Sequence, residues 1–237
     1  MSFDSFVVRW ELFWDCVKQP NFYNKIFEGL GNTLLIAFIG FIIGFLLGSI
    51  LAITKILPEE NKTVKVFSKI CDIYVAIFRG TPMTVQLLVA YYLLLPLMGI
   101  TSDSLTVAII VFGLNSAAYV CEIMRSGILS VDKGQMEAGR SLGLNYFTTL
   151  TKIVLPQAIK NILPTLGNEF ITLIKETSVV SFIGASDLFT AFQYIGSKNY
   201  EYMVPYLFMA VIYIIMIVIL TIIIKIIEGR LRESDKR

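Results

Sequence analysis

The otherwise apolar stretch Leu163 to Ile183 carries Asn168, Glu169, Thr172, Lys175, Glu176, Thr177 and Ser178. At 100° per residue, Asn168, Thr172 and Lys175 share one helix face, and Glu169, Thr172 and Glu176 share an overlapping one, so the sequence predicts a single polar stripe. Charge in hydrocarbon costs about 2.5–3.5 kcal/mol at a helix centre, which turns such groups toward a protein interior or a watery path. The stripe offers an ammonium beside carboxylates, so a zwitterion would find a partner for each of its charges. A second reading leaves Lys175 and Glu176 solvated near the membrane surface, or pairs them with other side chains. Catalysis has little to work with, because Glu169 and Glu176 are the one carboxylate pair at helical spacing and no nucleophile, base and metal ligands gather around them. The chain has no histidine, and Cys16, Cys71 and Cys121 show neither CxxC pairing nor metal spacing and read as small apolar fillers.

Three further groups belong with the stripe. Asn115 and Ser116, in another apolar stretch, supply hydrogen bonds either to the same cavity or between helices. Arg79 and Glu122 are expected to pair with each other as a structural ion pair, since neither charge stays unpaired in lipid. Arg79-Gly80-Thr81-Pro82 breaks its helix, because proline lacks a backbone donor and restricts the residue before it. Such a break serves as a hinge, lines a cavity, or is a static kink.

The elements that must position these residues are membrane spans. The 237 residues are 56% hydrophobic and 16% charged, with a mean hydropathy of +0.73, which defines an all-α integral membrane protein. A formal net charge of +2, dispersed along the chain, argues against nucleic acid as a partner. Spans of roughly 20 apolar residues are expected at 30–54, 66–98 (broken at 79–82), 105–124, 163–183 and 203–227, forming one membrane domain over 1–237. Gly40, Gly44 and Gly48 in the first would let a second helix approach closely. Lys and Arg are retained on the cytoplasmic side, and they cluster at Lys55 to Lys69, at Arg125 to Lys160, and at Lys225 to Arg237. The N-terminus is therefore expected outside and the C-terminus inside. The first 28 residues are aromatic and mixed in charge, so no cleaved signal is expected; the pairs Phe13-Trp14 and Phe22-Tyr23 suit either an interfacial segment or a frayed terminus.

This topology makes 126–162 the longest cytoplasmic loop, and the loop is patterned. Glu137-Ala138-Gly139, then Gly143, then Ile153-x-Leu155-Pro156 resembles the EAA motif of ABC-importer permease subunits, with glycine at the second alanine. The likeness extends to GLGNTL at 29–34, FRGTPMTVQL at 78–87, NSAAYVCEIMRSGI at 115–128 and LPTLGNEFITLIKETSVVSFIG at 163–184. Together these are similar to the polar amino-acid branch, the permeases of histidine, arginine, glutamine and cystine importers. A short helix here would place Glu137 and Ser141 on a polar face, and Gly139 and Gly143 on a face open to another protein's backbone, at a helix-propensity cost of about 1 kcal/mol per glycine.

The resemblance implies a type I ABC importer permease bundle of about five transmembrane helices in a bacterial plasma membrane. It implies that Glu137, Ala138, Gly139, Arg140, Ser141, Leu142 and Gly143, with Leu155 and Pro156, form a coupling helix and its support, seated on a separate ATPase subunit. It further implies a second identical or homologous permease subunit, an external substrate-binding protein and surrounding lipid. No GxxxxGK[ST] loop is present, so ATP and Mg are expected in the partner and no cofactor or enzymatic activity in this chain. The substrate path would hold Asn115, Ser116, Asn168, Glu169, Thr172, Lys175, Glu176 and Ser178. Its acidic residues favour a cationic amino acid, Lys175 offsets them, and glutamine or cystine stays open. An ion-coupled secondary transporter or channel working without an ATPase is the alternative.

Overall fold

The computed structural model describes residues 3–18, 21–56 and 62–233, and among these every regular element is helical. Lys236 and Arg237 of the C-terminal basic group lie outside them. The order is α1 (Phe3–Val17), α2 (Phe22–Ile56), α3 (Lys62–Gly80) and α4 (Met83–Val89), which a π turn (Ala90–Leu94) joins to α5 (Leu95–Leu97). Then come α6 (Ser104–Leu129), α7 (Lys133–Ser141) and α8 (Tyr146–Thr149), with a second π turn (Leu150–Val154) leading into α9 (Leu155–Glu176). A 3-10 turn (Thr177–Ile183), α10 (Leu188–Asn199) and α11 (Met203–Glu233) complete the chain.

Helices α2, α6 and α11 are each long and apolar enough to cross a membrane. The other two expected spans are helix pairs with a short break: Lys62–Gly80 with Met83–Leu97, and Tyr146–Ile183 with Leu188–Asn199. The break expected at 79–82 is thus present, with α3 ending at Gly80 and α4 starting at Met83. Both π turns precede a Leu-Pro pair. In each, the leucine N–H bonds the carbonyl five residues back, Leu95 to Ala90 and Leu155 to Leu150. Widening the helix there relieves the clash that a proline ring makes with the carbonyl four residues before it.

The chain forms two compact units. The first comprises Met1–Gly40, Pro82–Phe112 and Leu173–Ile219. Its core is Phe13, Cys16, Phe22, Leu188, Phe192, Ile195 and Val204. Phe13 stacks on Phe208 at 4.6 Å, and Arg9 pairs with Glu201 at 3.4 Å. Residues 3–17 are therefore a docked helix and not a frayed end. Each expected aromatic pair sends one ring inward, Phe13 and Phe22, and leaves the other, Trp14 and Tyr23, exposed. The GLGNT run, about two turns into α2, is a seat for the loop before α10. Asn32 Nδ2 donates to Ser186 O at 2.7 Å, and Leu188 N donates to Thr33 Oγ1 at 3.1 Å. A Cβ on Gly29 would stand 2.5 Å from Asp187 O.

The second unit comprises Phe41–Thr81, Gly113–Thr172 and Leu220–Arg237. Small residues bring α2 and α6 together. A Cβ on Gly44 would lie 2.5 Å from Ser116 Cβ, and one on Gly48 2.7 Å from Ala117 O. The close approach expected along the glycine repeat is realised at those two positions. Ala52, Val75, Ala118 and Cys121 fill one core cluster, and Val120, Ala158, Ile162 and Leu166 another. Cys71 and Cys121 are buried, in keeping with filler roles.

Candidate functional site

The predicted stripe divides into two faces. Asn168 and Lys175 are exposed and Thr172 is half-buried, whereas Glu169 is turned inward and only 8% exposed. Ser116, fully buried, donates its hydroxyl to Glu169 Oε1 at 3.3 Å. Gly44 supplies the room, since any side chain there would collide with Ser116. The single stripe with Glu169 beside Thr172 is therefore corrected: helical angles group residues, but packing decides which edge of the group faces protein. On the open face, Asn161 and Thr165 extend the row, so that 161, 165, 168, 172 and 175 alternate four and three residues apart. Thr165 and Thr172 each donate to the carbonyl four residues back, at 3.2 and 3.0 Å. Glu176 and Ser178 are half-buried in the first unit, and Thr177 is fully buried.

Asn115 reaches the helix break. Pro82 has no N–H to offer the carbonyl of Phe78, four residues earlier, and Asn115 Nδ2 donates to that carbonyl at 3.4 Å. Thr81 Oγ1 donates to Ile77 O at 2.8 Å. Side chains thus replace backbone bonds that the break removes, as non-aqueous surroundings demand. For both Asn115 and Ser116, the structure displays hydrogen bonds between helices.

Glu122 is the hub of a charge cluster spanning α2, α3 and α6. Its Oε1 accepts from Arg125 Nε at 3.0 Å, and its Oε2 lies 3.7 Å from Lys55 Nζ and 4.0 Å from Arg79 Nη1. Lys55 also pairs with Asp72 at 2.8 Å, and the Arg79 guanidinium sits 5.5 Å above the Tyr119 ring. The expected Arg79–Glu122 pair is present, as the longest link of this network. Among the described residues, no three His, Cys, Asp or Glu side chains gather as metal ligands would.

Helices α7 and α8 form a capped hairpin. Asp132 accepts from Gly134 N at 2.7 Å, and Asn145 Oδ1 from Thr148 N at 2.8 Å. Gly143 has φ +83°; its N–H bonds Arg140 O at 3.0 Å, while Leu144 N–H bonds Gly139 O at 3.2 Å. That is the paired-bond ending in which a left-handed glycine stops a helix. Gly139 is buried inside the hairpin, and a Cβ there would stand 2.5 Å from Thr149 Cγ2. The expected glycine face is therefore corrected: Gly139 faces its own chain, and Gly143 lies past the end of α7. The outer surface is made instead by exposed Glu137, Ala138, Arg140 and Ser141, by Leu142 at 82% exposure, and by Leu144 and Phe147. Leu144 and Phe147 escaped the motif-based reading; their signal was apolar residues in a polar loop. Leu155 is half-buried and Pro156 exposed behind the second π turn. Tyr146 donates to Ile56 O at 2.9 Å, tying the hairpin to the end of α2, and its burial pushes the phenol above its ordinary pKa.

A helical bundle with broken spans, polar groups inside them and a capped hairpin between α6 and α9 defines a membrane permease subunit. The chain belongs to the family described as binding-protein-dependent transport system inner membrane component, matched over residues 44–233. It is 41% identical over 210 residues to the arginine transport system permease protein ArtQ of Bacillus subtilis (strain 168), covering 89% of this chain and 94% of that one. It is 40% identical to a putative glutamine transport system permease protein GlnP of Rickettsia conorii, with 89% and 95% covered. Identity to the L-cystine transport system permease protein TcyB of Bacillus subtilis is 38%, with 92% and 91% covered. A crystal structure described as an amino acid ABC transporter with histidines superposes with a TM-score of 0.78 at 38% identity, covering 97% of this chain and 99% of that chain. An inward-facing structure of the MetNI methionine ABC transporter shares the fold, with a TM-score of 0.66 at 23% identity and 87% and 94% covered. The chain is the transmembrane subunit of an ABC importer, and the ion-coupled alternative falls away.

Proposed function

We propose that this subunit moves a polar amino acid inward, driven by a separate ATPase that seats on the α7–α8 hairpin. The observation that carries this is the outer face of the hairpin. Glu137, Ala138, Arg140, Ser141, Leu142, Leu144 and Phe147 form one exposed surface, while Gly139 and Thr149 close the inner side. Large apolar side chains in a hydrophilic loop fit a cleft of another protein. ATP and Mg belong to that partner.

The open face of α9 supports the rest. Asn168, Thr172 and Lys175 are polar groups on a membrane helix, so a second permease subunit and a watery path between the two would cover them. Glu169, held by Ser116, lies one position behind this face and supplies the negative charge that an α-ammonium or a cationic side chain meets. Relatives named for arginine, glutamine and cystine agree with a polar amino acid delivered by an external binding protein. The cation clusters support an external N-terminus and a cytoplasmic C-terminus. The test is uptake into vesicles reconstituted with and without a co-purified ATPase. Uptake is expected only with ATPase and ATP; uptake without them overturns the proposal.

A further inference from the structure

The hairpin has an inner side that ATPase docking does not use. Between the C-terminal ends of α2 and α6, the start of α7 and the segment 146–154 lies a cavity of about 270 Å³. Ile128, Leu129, Met136 and Leu150 give it an apolar wall. Lys55, Arg125 and Lys133 also line it, and among the described residues the carboxylate lining it is Asp132, which is turned onto Gly134 N as the cap of α7. Lys55 and Arg125 are held in place through Glu122 and Asp72, whereas Lys133 is exposed and makes no ion pair among the described residues.

An apolar hollow rimmed by cations at the ends of membrane helices matches one chemistry, an alkyl chain carrying an anionic head. We propose that the cavity seats the head end of one inner-leaflet phospholipid of negative headgroup, with the rest of the molecule outside it. Its phosphate meets Lys133 and Arg125, and the upper part of an acyl chain lies along Leu129 and Met136. The lipid would brace α7 against α2 and α6 from behind. Glu137, Ala138 and Ser141 are exposed and do not line the cavity, so lipid and ATPase need not compete. The proposal rests on the orientation given above, which labelling of a Lys133→Cys variant from the inside or the outside tests separately.

The experiment is native mass spectrometry of the full-length chain in detergent, with phosphatidylglycerol or phosphatidylcholine added back, and with inorganic phosphate as competitor. Phosphatidylglycerol is expected to be retained over phosphatidylcholine. Lys133→Gln should lower its occupancy about five-fold, the value of one surface cation near an anionic lipid, and Lys152→Gln, exposed but outside the cavity, should leave it unchanged. Met136→Trp, which fills the cavity, should remove the preference; if that variant does not fold, the Lys133 and Lys152 comparison decides. Equal retention of the two lipids, or equal losses in the two lysine variants, overturns the proposal. Displacement by inorganic phosphate assigns the cavity to a free anion and overturns it too.

Discussion

Two surfaces of this protein are opposite in character and alike in meaning. On α9, polar side chains at 168, 172 and 175 line an open face within a stretch expected to span the membrane. On the α7–α8 hairpin, Leu142 and Phe147 are 82% and 61% exposed in a segment whose sequence is that of an aqueous loop. Each surface is wrong for the solvent that a single chain would meet there. Burying a mismatch of either kind is favourable, so each marks a place where another molecule belongs. Exposed aliphatic residues elsewhere, such as Ile70, Ile73 and Ile77 on α3, match lipid and carry no such message.

The comparison breaks most sharply at the hairpin. Replacing Leu142 and Phe147 together with aspartate removes the apolar half of the proposed contact. Loss of central interface anchors costs about 2 kcal/mol or more, so ATPase affinity should fall at least roughly 30-fold and ATP-driven uptake with it. Membrane insertion and thermal stability of the chain alone should be unchanged. Pull-down with the ATPase, read beside uptake, checks this; normal affinity would show that the apolar exposure has another purpose.

The α9 surface is tested next by Glu169→Gln. Glutamine keeps an acceptor for the Ser116 hydroxyl but removes the charge, so folding and ATPase binding should persist. Transport of a cationic or zwitterionic substrate should fall roughly ten-fold, the equivalent of about 1.4 kcal/mol. Unchanged transport kinetics would confine Glu169 to a structural hydrogen bond and leave the open face alone as the path.

Composition, the apolar helices, the break at 79–82 and the presence of a patterned segment between α6 and α9 were legible in the sequence because each depends on local composition or a dense motif. The orientation of Glu169 was not, since it depends on Gly44 in α2 leaving room for Ser116 in α6, a contact between residues far apart in the chain. Gly139 and Gly143 show the same limit at short range. Two glycines one turn apart look equivalent as letters, yet one admits Thr149 and the other adopts a positive φ, and only the tertiary fold of α8 onto α7 separates them. The N-terminal helix was ambiguous because its aromatic pairs suit an interfacial segment and a frayed terminus equally, and only the packing of Phe13 on Phe208 from the far end of the chain shows it docked.

That distinction gives the third and smaller effect. Gly139→Ala forces a Cβ onto Thr149, and overpacking of this kind costs about 1–3 kcal/mol, loosening the hairpin. Gly143→Ala meets open space but strains the left-handed backbone, at about 1 kcal/mol. Limited proteolysis of the hairpin should therefore rise more in the first variant than in the second. The reverse order would mean that helix termination, and not packing behind α7, holds the hairpin's outer face in shape.

The smallest effect is expected outside both surfaces, at the start of α6. Asp103 accepts from Thr106 N at 2.9 Å, and its hydrogen bonds with Thr106 hold its carboxyl below the ordinary value. A carboxyl whose pKa is lowered on folding binds fewer protons in the folded state, so its contribution is present above the ordinary carboxylate range and is lost as pH falls through the lowered value. Asp103→Ala should lower thermal stability slightly at neutral pH, and the gap to wild type should close below the carboxylate range. Because Asp103 is solvent-exposed and belongs to neither mismatched surface, uptake and ATPase binding should stay at wild-type levels. If this variant impaired coupling as much as the hairpin aspartates do, general loss of helix order would explain both results, and the mismatch between surface and solvent would no longer distinguish functional regions from structural ones.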